Sequence, residues 1–414
     1  MNRAIDSTVG RKRRTDGSPS DISRSESYRR SCTMYSLLLG PTGPIHGIND
    51  PTSDRQIRSS SAPFANSVGT LPLWVRRWLA AASLMAVAAP ALHAQANGPD
   101  WVPVTDRAGW QARDSQGEVV FRDRLWILGG WYSSFKPAPR DVWSSVDGRD
   151  WTLVTPEAPW KHSDLPMSIV FRDRMWMMGG WYNGRLPDRS AGNEVWHSED
   201  GANWQQATAR AQWSPRLAAA VVVFKGRMWL LGGSENYYFG HSGHLRNDVW
   251  ASADGKDWTL ATADAGWPPR AYHQAVVFNE RIYVFGGGNY EPGYIAFNDV
   301  WSSADGVGWK QETPAAAWPS RLWFSSAVYR GCMWVLGGWS NLPSMNHGDV
   351  WYSQNGRDWT RLKSNVTWKA RHEHSAYVFQ DRLWVAGGSP LSSDAWSLQL
   401  PADWKPAASA GVSP

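Results

Sequence analysis

Five arginines recur at one repeat position, and arginine at that position suits recognition of an anion. Arg113, Arg216, Arg270, Arg321 and Arg371 each stand sixteen residues before the first glycine of a Gly-Gly pair. The remaining pair has Ser163 there, beside Lys161 and His162. A guanidinium fork matches a carboxylate two bonds at a time. A ring of them around a concave mouth would focus a positive field on a ligand. The same arginines are equally able to bridge carbonyls or neighbouring acids. Aromatic residues accompany them. Trp131, Trp181 and Trp339 directly follow glycine pairs, with Tyr132, Tyr182, Tyr237, Tyr238, Tyr290 and Tyr294 nearby. Such faces beside polar groups suit a sugar ring or a peptide.

Groups for acid and base chemistry are fewer. Glu235, Glu291, His241, His244, His273, His372 and His374 lie in or beside the same segments. On a strand, the two imidazoles of His372-Glu373-His374 would share one face. A metal needs a further ligand at a set distance, and the sequence specifies none, so no metal and no cofactor is expected.

The elements that must carry these residues follow from the glycine pairs. They begin at Gly129, Gly179, Gly232, Gly286, Gly337 and Gly387, at intervals of 50, 53, 54, 51 and 50 residues. A period near fifty marks a repeat array. Nineteen residues before each pair stands a tryptophan (Trp110, Trp160, Trp213, Trp267, Trp318, Trp368), and nine before that another (Trp101, Trp151, Trp204, Trp258, Trp309, Trp359). A third set, Trp143, Trp196, Trp250, Trp301, Trp351 and Trp396, closes an Asp-Val-Trp-like triplet. Only the distance from glycine pair to triplet varies, which marks a surface loop. Runs such as Gln274–Phe278 and Arg281–Phe285 are β-branched and aromatic, the composition of buried strands. Each repeat therefore reads as four antiparallel strands. Strands a and b meet at a tight turn such as Asn279-Glu280, and c and d at an Asp-Gly or Asn-Gly hairpin turn of two residues.

This pattern of apolar run, Gly-Gly, loop, Asn-Asp-Val-Trp and spaced Trp resembles the Kelch repeat over residues 101–404. The resemblance implies an all-β, six-bladed propeller whose tryptophans form the core between blades. Ser252-Ala-Asp254-Gly255-Lys-Asp-Trp258 also resembles a shortened Asp-box. The last repeat lacks an Asp-Gly after its triplet, while Asn97-Gly98 precedes Trp101 at the matching offset. Residues 101–105 are thus expected to supply strand d of the last blade. Trp404 is the rival, weakened as a strand by its flanking prolines.

The rest of the chain differs in kind. Residues 1–70 are rich in Ser, Arg and Pro and cannot build a core. Residues 71–96 join a basic flank to an Ala/Leu run and small residues, which reads as a signal peptide cleaved after Ala94 or Ala96. Periplasmic or secreted location, no membrane span after cleavage and a translation start near Val68 to Leu73 are the expectations. The domain itself is residues 97–406, with a loose tail at 407–414. The chain has 42 Lys plus Arg against 37 Asp plus Glu. Twelve of those bases and six of those acids lie in residues 1–96, so the domain is near neutral. That excludes a general case for nucleic-acid binding. Cys332 stands where other repeats have an arginine at a strand start, and a lone cysteine there reads as structural.

The resemblance frames three functions. Copper radical oxidases of the galactose oxidase kind need a Cys–Tyr cross-link and ligands that cannot be matched here. N-acetylneuraminate epimerase is similar in architecture, and an acidic sugar would fit the arginines. Binding propellers complete the set. The expectation is a monomeric, non-catalytic propeller that binds an anionic small molecule, glycan or acidic peptide at its loop face. The alternative is a mutarotase-like enzyme using Glu235 or Glu291.

Overall fold

The computed structural model describes residues 98–133, 136–182, 191–237, 242–290 and 293–407. The segments read as a leader and a signal peptide lie outside the described residues, as do Tyr238, His241 and Glu291. No helix among the described residues is long and apolar enough to cross a membrane.

Six four-stranded antiparallel sheets account for the repeats. The fourth shows the common plan: Gln274–Phe278, Arg281–Phe285, Val300–Ser303 and Trp309–Thr313 pair in sequence order. Each inner strand a touches strand a of the blades on either side, and the sixth touches the first. The result is a closed six-bladed β-propeller. Closure uses the chain's own beginning. Val102–Thr105 pairs with Ala395–Leu398 as the outer strand of the last blade. Trp404 stays outside the sheet and packs on Trp334 and Tyr352.

The tryptophan spacing becomes a packing rule. Trp101–Trp368, Trp110–Trp151, Trp160–Trp204, Trp213–Trp258, Trp267–Trp309 and Trp318–Trp359 meet edge to face at 5.8–6.1 Å. Edge-to-face contact sets the positive ring edge on the negative face. Six near-identical pairs therefore stitch the disc, and Trp101 completes the last one. Cys332 opens a core strand with no exposure, and burial pushes its thiol up to about 11.

One turn differs from expectation. The two-residue turns with both residues at positive φ join a to b, as at Asn279-Glu280. The c–d connection is longer, a five-residue loop such as 254–257 with its flanking Ala253. There Ser252 Oγ accepts from the Gly255 amide, and Asp254 Oδ1 accepts from the amides of Lys256 and Asp257. The side chains shape this loop, so the glycine alone does not dictate a hairpin. A Cβ on Gly255 would lie 2.1 Å from Trp176 of the preceding blade, so the loop is also an inter-blade contact.

Candidate binding site at the channel mouth

The chain enters every inner strand through the same two steps. Residue one after the arginine position exchanges backbone hydrogen bonds with the residue after the glycine pair. Examples are Asp114 with Trp131, Asp164 with Trp181, and Leu322 with Trp339. The next residue turns into the left-handed region. Ser115, Leu165, Ala218, Tyr272, Trp323 and Glu373 all have φ between 50° and 57°. A non-glycine residue there costs of order 1–3 kcal/mol and persists only where its surroundings impose it. The imposition is visible. The amide of each of these six donates to the carbonyl of its counterpart in the preceding blade, at 2.8–3.3 Å, and Ser115 donates to Glu373 to close the circle. This hydrogen-bonded ring collars the central channel.

The arginines lie outside that collar, and their placement corrects the expected basic rim. Arg113, Arg216, Arg270, Arg321 and Arg371 are 0–3% exposed. Each meets an aspartate two bonds at a time, at 2.5–3.0 Å: Asp141, Asp248, Asp299, Asp349 and Asp394 respectively. Each also donates to the carbonyl of its blade's first paired glycine. The fork thus pins the entering chain to strands b and c. Burial alone would raise the Asp248, Asp349 and Asp394 carboxyls, but the facing guanidiniums outweigh it and hold them below their usual value. With their charge compensated and most of their donors used, these arginines offer an incoming anion little. In the second blade the pin is replaced by His162 Nδ1 and Glu194 Oε1 at 3.0 Å.

The remaining predicted residues divide. His273 and His374 are buried against Trp267 and Trp368 and line the channel. Burial, with Arg270 nearby, pulls the His273 imidazole down to about 3, so it is uncharged. His372 does not share a face with His374, because the left-handed turn at Glu373 separates them. Instead His372 stacks on Trp323 at 5.3 Å. Its Nδ1 lies 2.6 Å from Asn346 Oδ1. Glu235 is held by Arg246 at 2.6–2.8 Å. No group of three or more His, Cys, Asp or Glu among the described residues is placed to hold a metal.

The aromatic residues come together on one side. Trp181 meets Tyr237 at 6.1 Å, and Tyr237 meets Tyr272 and Tyr290 at 6.0 Å. Tyr290 continues to Trp323 at 4.9 Å and Trp339 at 5.7 Å, and Tyr294 meets Trp339 at 5.5 Å. Tyr237, Tyr290, Tyr294 and Trp339 are only half-buried. Trp131 is half-buried on the opposite side.

That opposite side carries a group the sequence reading missed. Asp114, Asp164 and Glu373 converge on the Ser115 hydroxyl, which bonds Asp114 Oδ1 at 3.1 Å. Burial raises the Asp114 carboxyl to about 7. Burial and the neighbouring acids raise Asp164 and Glu373 as well. Deeper in the channel, burial raises Glu118 to about 8. Among the described residues, none of the trio pairs with a lysine or arginine. The nearest imidazole, His372 Nε2, is 3.7 Å from Glu373 Oε2, and burial lowers it to about 4, leaving it neutral. Within the collar and along the strands beyond it runs a cavity of about 120 Å³, lined by Ser115, Gln116, Glu118, His273, Trp323 and Glu373 among others. A signal for this site was present. Directly after the arginine position the repeats read Asp-Ser, Asp-Leu, Leu-Ala, Ala-Tyr, Leu-Trp and His-Glu. Variation at a position where the scaffold demands only a backbone shape leaves the side chains free for recognition.

Residues 170–388, just over half of the chain, match the family model for the KLHDC2/KLHL20/DRC7 Kelch-repeats domain. No curated protein matches the chain.

Proposed function

The chain belongs to the Kelch-repeat family, and from that premise we propose that it is a non-catalytic binding propeller that holds a glycan over its channel mouth. A Kelch propeller supports a binding role in general. The observation that carries the finer reading is the arc of half-buried rings formed by Tyr237, Tyr290, Tyr294 and Trp339, in the blades beside those that bring the Ser115 hydroxyl and the hub carboxyls together. Stacking on an aromatic face plus hydrogen bonds to protonated acids suits a polyol ring. The arginines, which alone argued for an anion, are already paired, so a neutral or amino sugar fits better than an acidic one. Export by cleavage of the segment 71–96 belongs to the same proposal, and N-terminal sequencing of the mature protein tests it.

The direct test is a screen of the purified chain against neutral, acidic and amino glycans, repeated with Tyr290→Ala and Trp339→Ala. Binding of neutral or amino glycans that both variants weaken supports the reading. Binding confined to acidic glycans, and lost in Arg270→Ala, contradicts it.

The raised carboxyls also favour one enzymatic reading, proton transfer at a sugar's anomeric centre. Proton NMR of anomer interconversion, native against Glu373→Gln, decides it. Equal rates with and without protein leave binding alone.

A further inference from the structure

The geometry points to the Ser115 corner of the collar, where Asp114, Asp164 and Glu373 converge, as the seat for a primary ammonium group carried by the sugar. The inference rests on the glycan reading above and narrows it to an amino sugar.

Three features of the hub carry it. The first is stoichiometric. An ammonium brings three N–H donors and no acceptor. The trio presents three carboxyl groups around one hydroxyl. The second is charge. Buried carboxylates need partners, and every nearby guanidinium is already committed: Arg113 to Asp141, Arg371 to Asp394. Burial therefore favours the protonated form of these acids until a cation arrives from outside. The third is the wall beside them. Trp323 is 7% exposed and lines the same cavity as Ser115 and Glu373, and its Nε1 has no protein partner. The Gln116 Oε1 in the same cavity also has none. A buried donor and a buried acceptor without partners are costly unless a ligand or solvent meets them.

The cavity of about 120 Å³ reaches the collar residues Ser115, Trp323 and Glu373, where a group carried on the ring can enter. The ring would rest on the aromatic arc while its ammonium reaches down through the collar. On binding, the ammonium keeps its three protons, and a carboxyl that becomes the counter-ion releases its proton to the buffer. Groups facing the seat are the three acids, Glu118 below, neutral His372 beside Glu373, and the paired Arg113 and Arg371.

The experiment is isothermal titration of the full chain at neutral pH with glucosamine, N-acetylglucosamine, glucose and n-propylamine, in two buffers of different ionisation enthalpy. Expected are about tenfold or greater preference for glucosamine over N-acetylglucosamine and glucose, and a heat that depends on the buffer. Glu373→Gln and Asp114→Asn should erase the preference while melting no lower than the native chain. Equal binding of glucosamine and N-acetylglucosamine overturns the ammonium seat and leaves the glycan reading standing. Propylamine binding as tightly as glucosamine upholds the seat and overturns the glycan reading. No binding of any of the four overturns both.

Discussion

Arg113 and Asp114 are adjacent in the chain and opposite in circumstance. Arg113 is buried beside Asp141, its charge answered within 3 Å. Asp114 is buried among other acids, its charge unanswered by any described lysine or arginine. The same contrast holds around the disc, between five arginine pins in the wall and three acids at the hub. Both sets are ionisable and buried, the arginines at one repeat position and the acids at the two positions that follow it. Compensation is what separates scaffold from candidate site: a paired charge holds strands together, and an unpaired one waits for a ligand or keeps its proton.

The largest effect should come from breaking a pin. Asp299→Ala leaves Arg270 buried without its counter-ion and should cost about 3–5 kcal/mol, read from urea unfolding. The double variant Arg270→Met with Asp299→Leu should recover most of that loss, since apolar replacement of a buried pair is often neutral. If Asp299→Ala is as stable as the native chain, the pins are not scaffold. Hub variants should behave in the opposite way. Glu373→Gln or Asp164→Asn removes an acid that folding forces to hold a proton, so stability should be unchanged or improved.

The two regions should also respond to pH with opposite signs. Acids raised on folding stabilise fully below their unfolded value and lose that contribution as pH climbs. For Asp114 and Glu118, whose folded values are about 7 and 8, stability should fall between about pH 4 and pH 8. The pin aspartates Asp248, Asp349 and Asp394 are held low, so their contribution is present at neutral pH and lost on acidification below about 4. Chemical unfolding across this range should show a decline of at least a few kcal/mol as pH rises from about 4 to about 8, at about 1.4 kcal/mol for each pH unit between the unfolded and folded values, reduced in Glu118→Gln. A flat alkaline limb would mean that the hub acids are compensated after all.

The smallest effect concerns the mouth itself. Trp339→Leu should weaken glycan binding about tenfold with little change in melting, because the ring is half-exposed. A large loss of stability with unaltered binding would move Trp339 from the site to the scaffold.

Much of the fold was legible because its determinants are local and periodic. The tryptophan and glycine spacings forced six blades, and the displaced Asn97-Gly98-Pro-Asp-Trp101 foretold the closing strand. The arginines were visible too, but not their partners: Asp299 lies 29 residues beyond Arg270. Spacing across a variable loop does not say whether a charge will find its counter-ion. The hub acids were overlooked because Asp114 and Glu373 come from opposite ends of the array. Only ring closure brings them together.

The central claim is that charge at the hub is unanswered and charge in the wall is answered. Carbon-13 NMR of carboxyl-labelled Asp and Glu, assigned through Asp114→Asn, Asp164→Asn, Glu373→Gln and Asp349→Asn, measures it directly. The account predicts that the hub carboxyls titrate well above the usual carboxylate range, Asp114 at about 7, and shift downward when glucosamine is added, while Asp349, held low by Arg321, titrates below that range and is unmoved by ligand. Hub carboxyls that titrate near pH 4, indifferent to ligand, would contradict it.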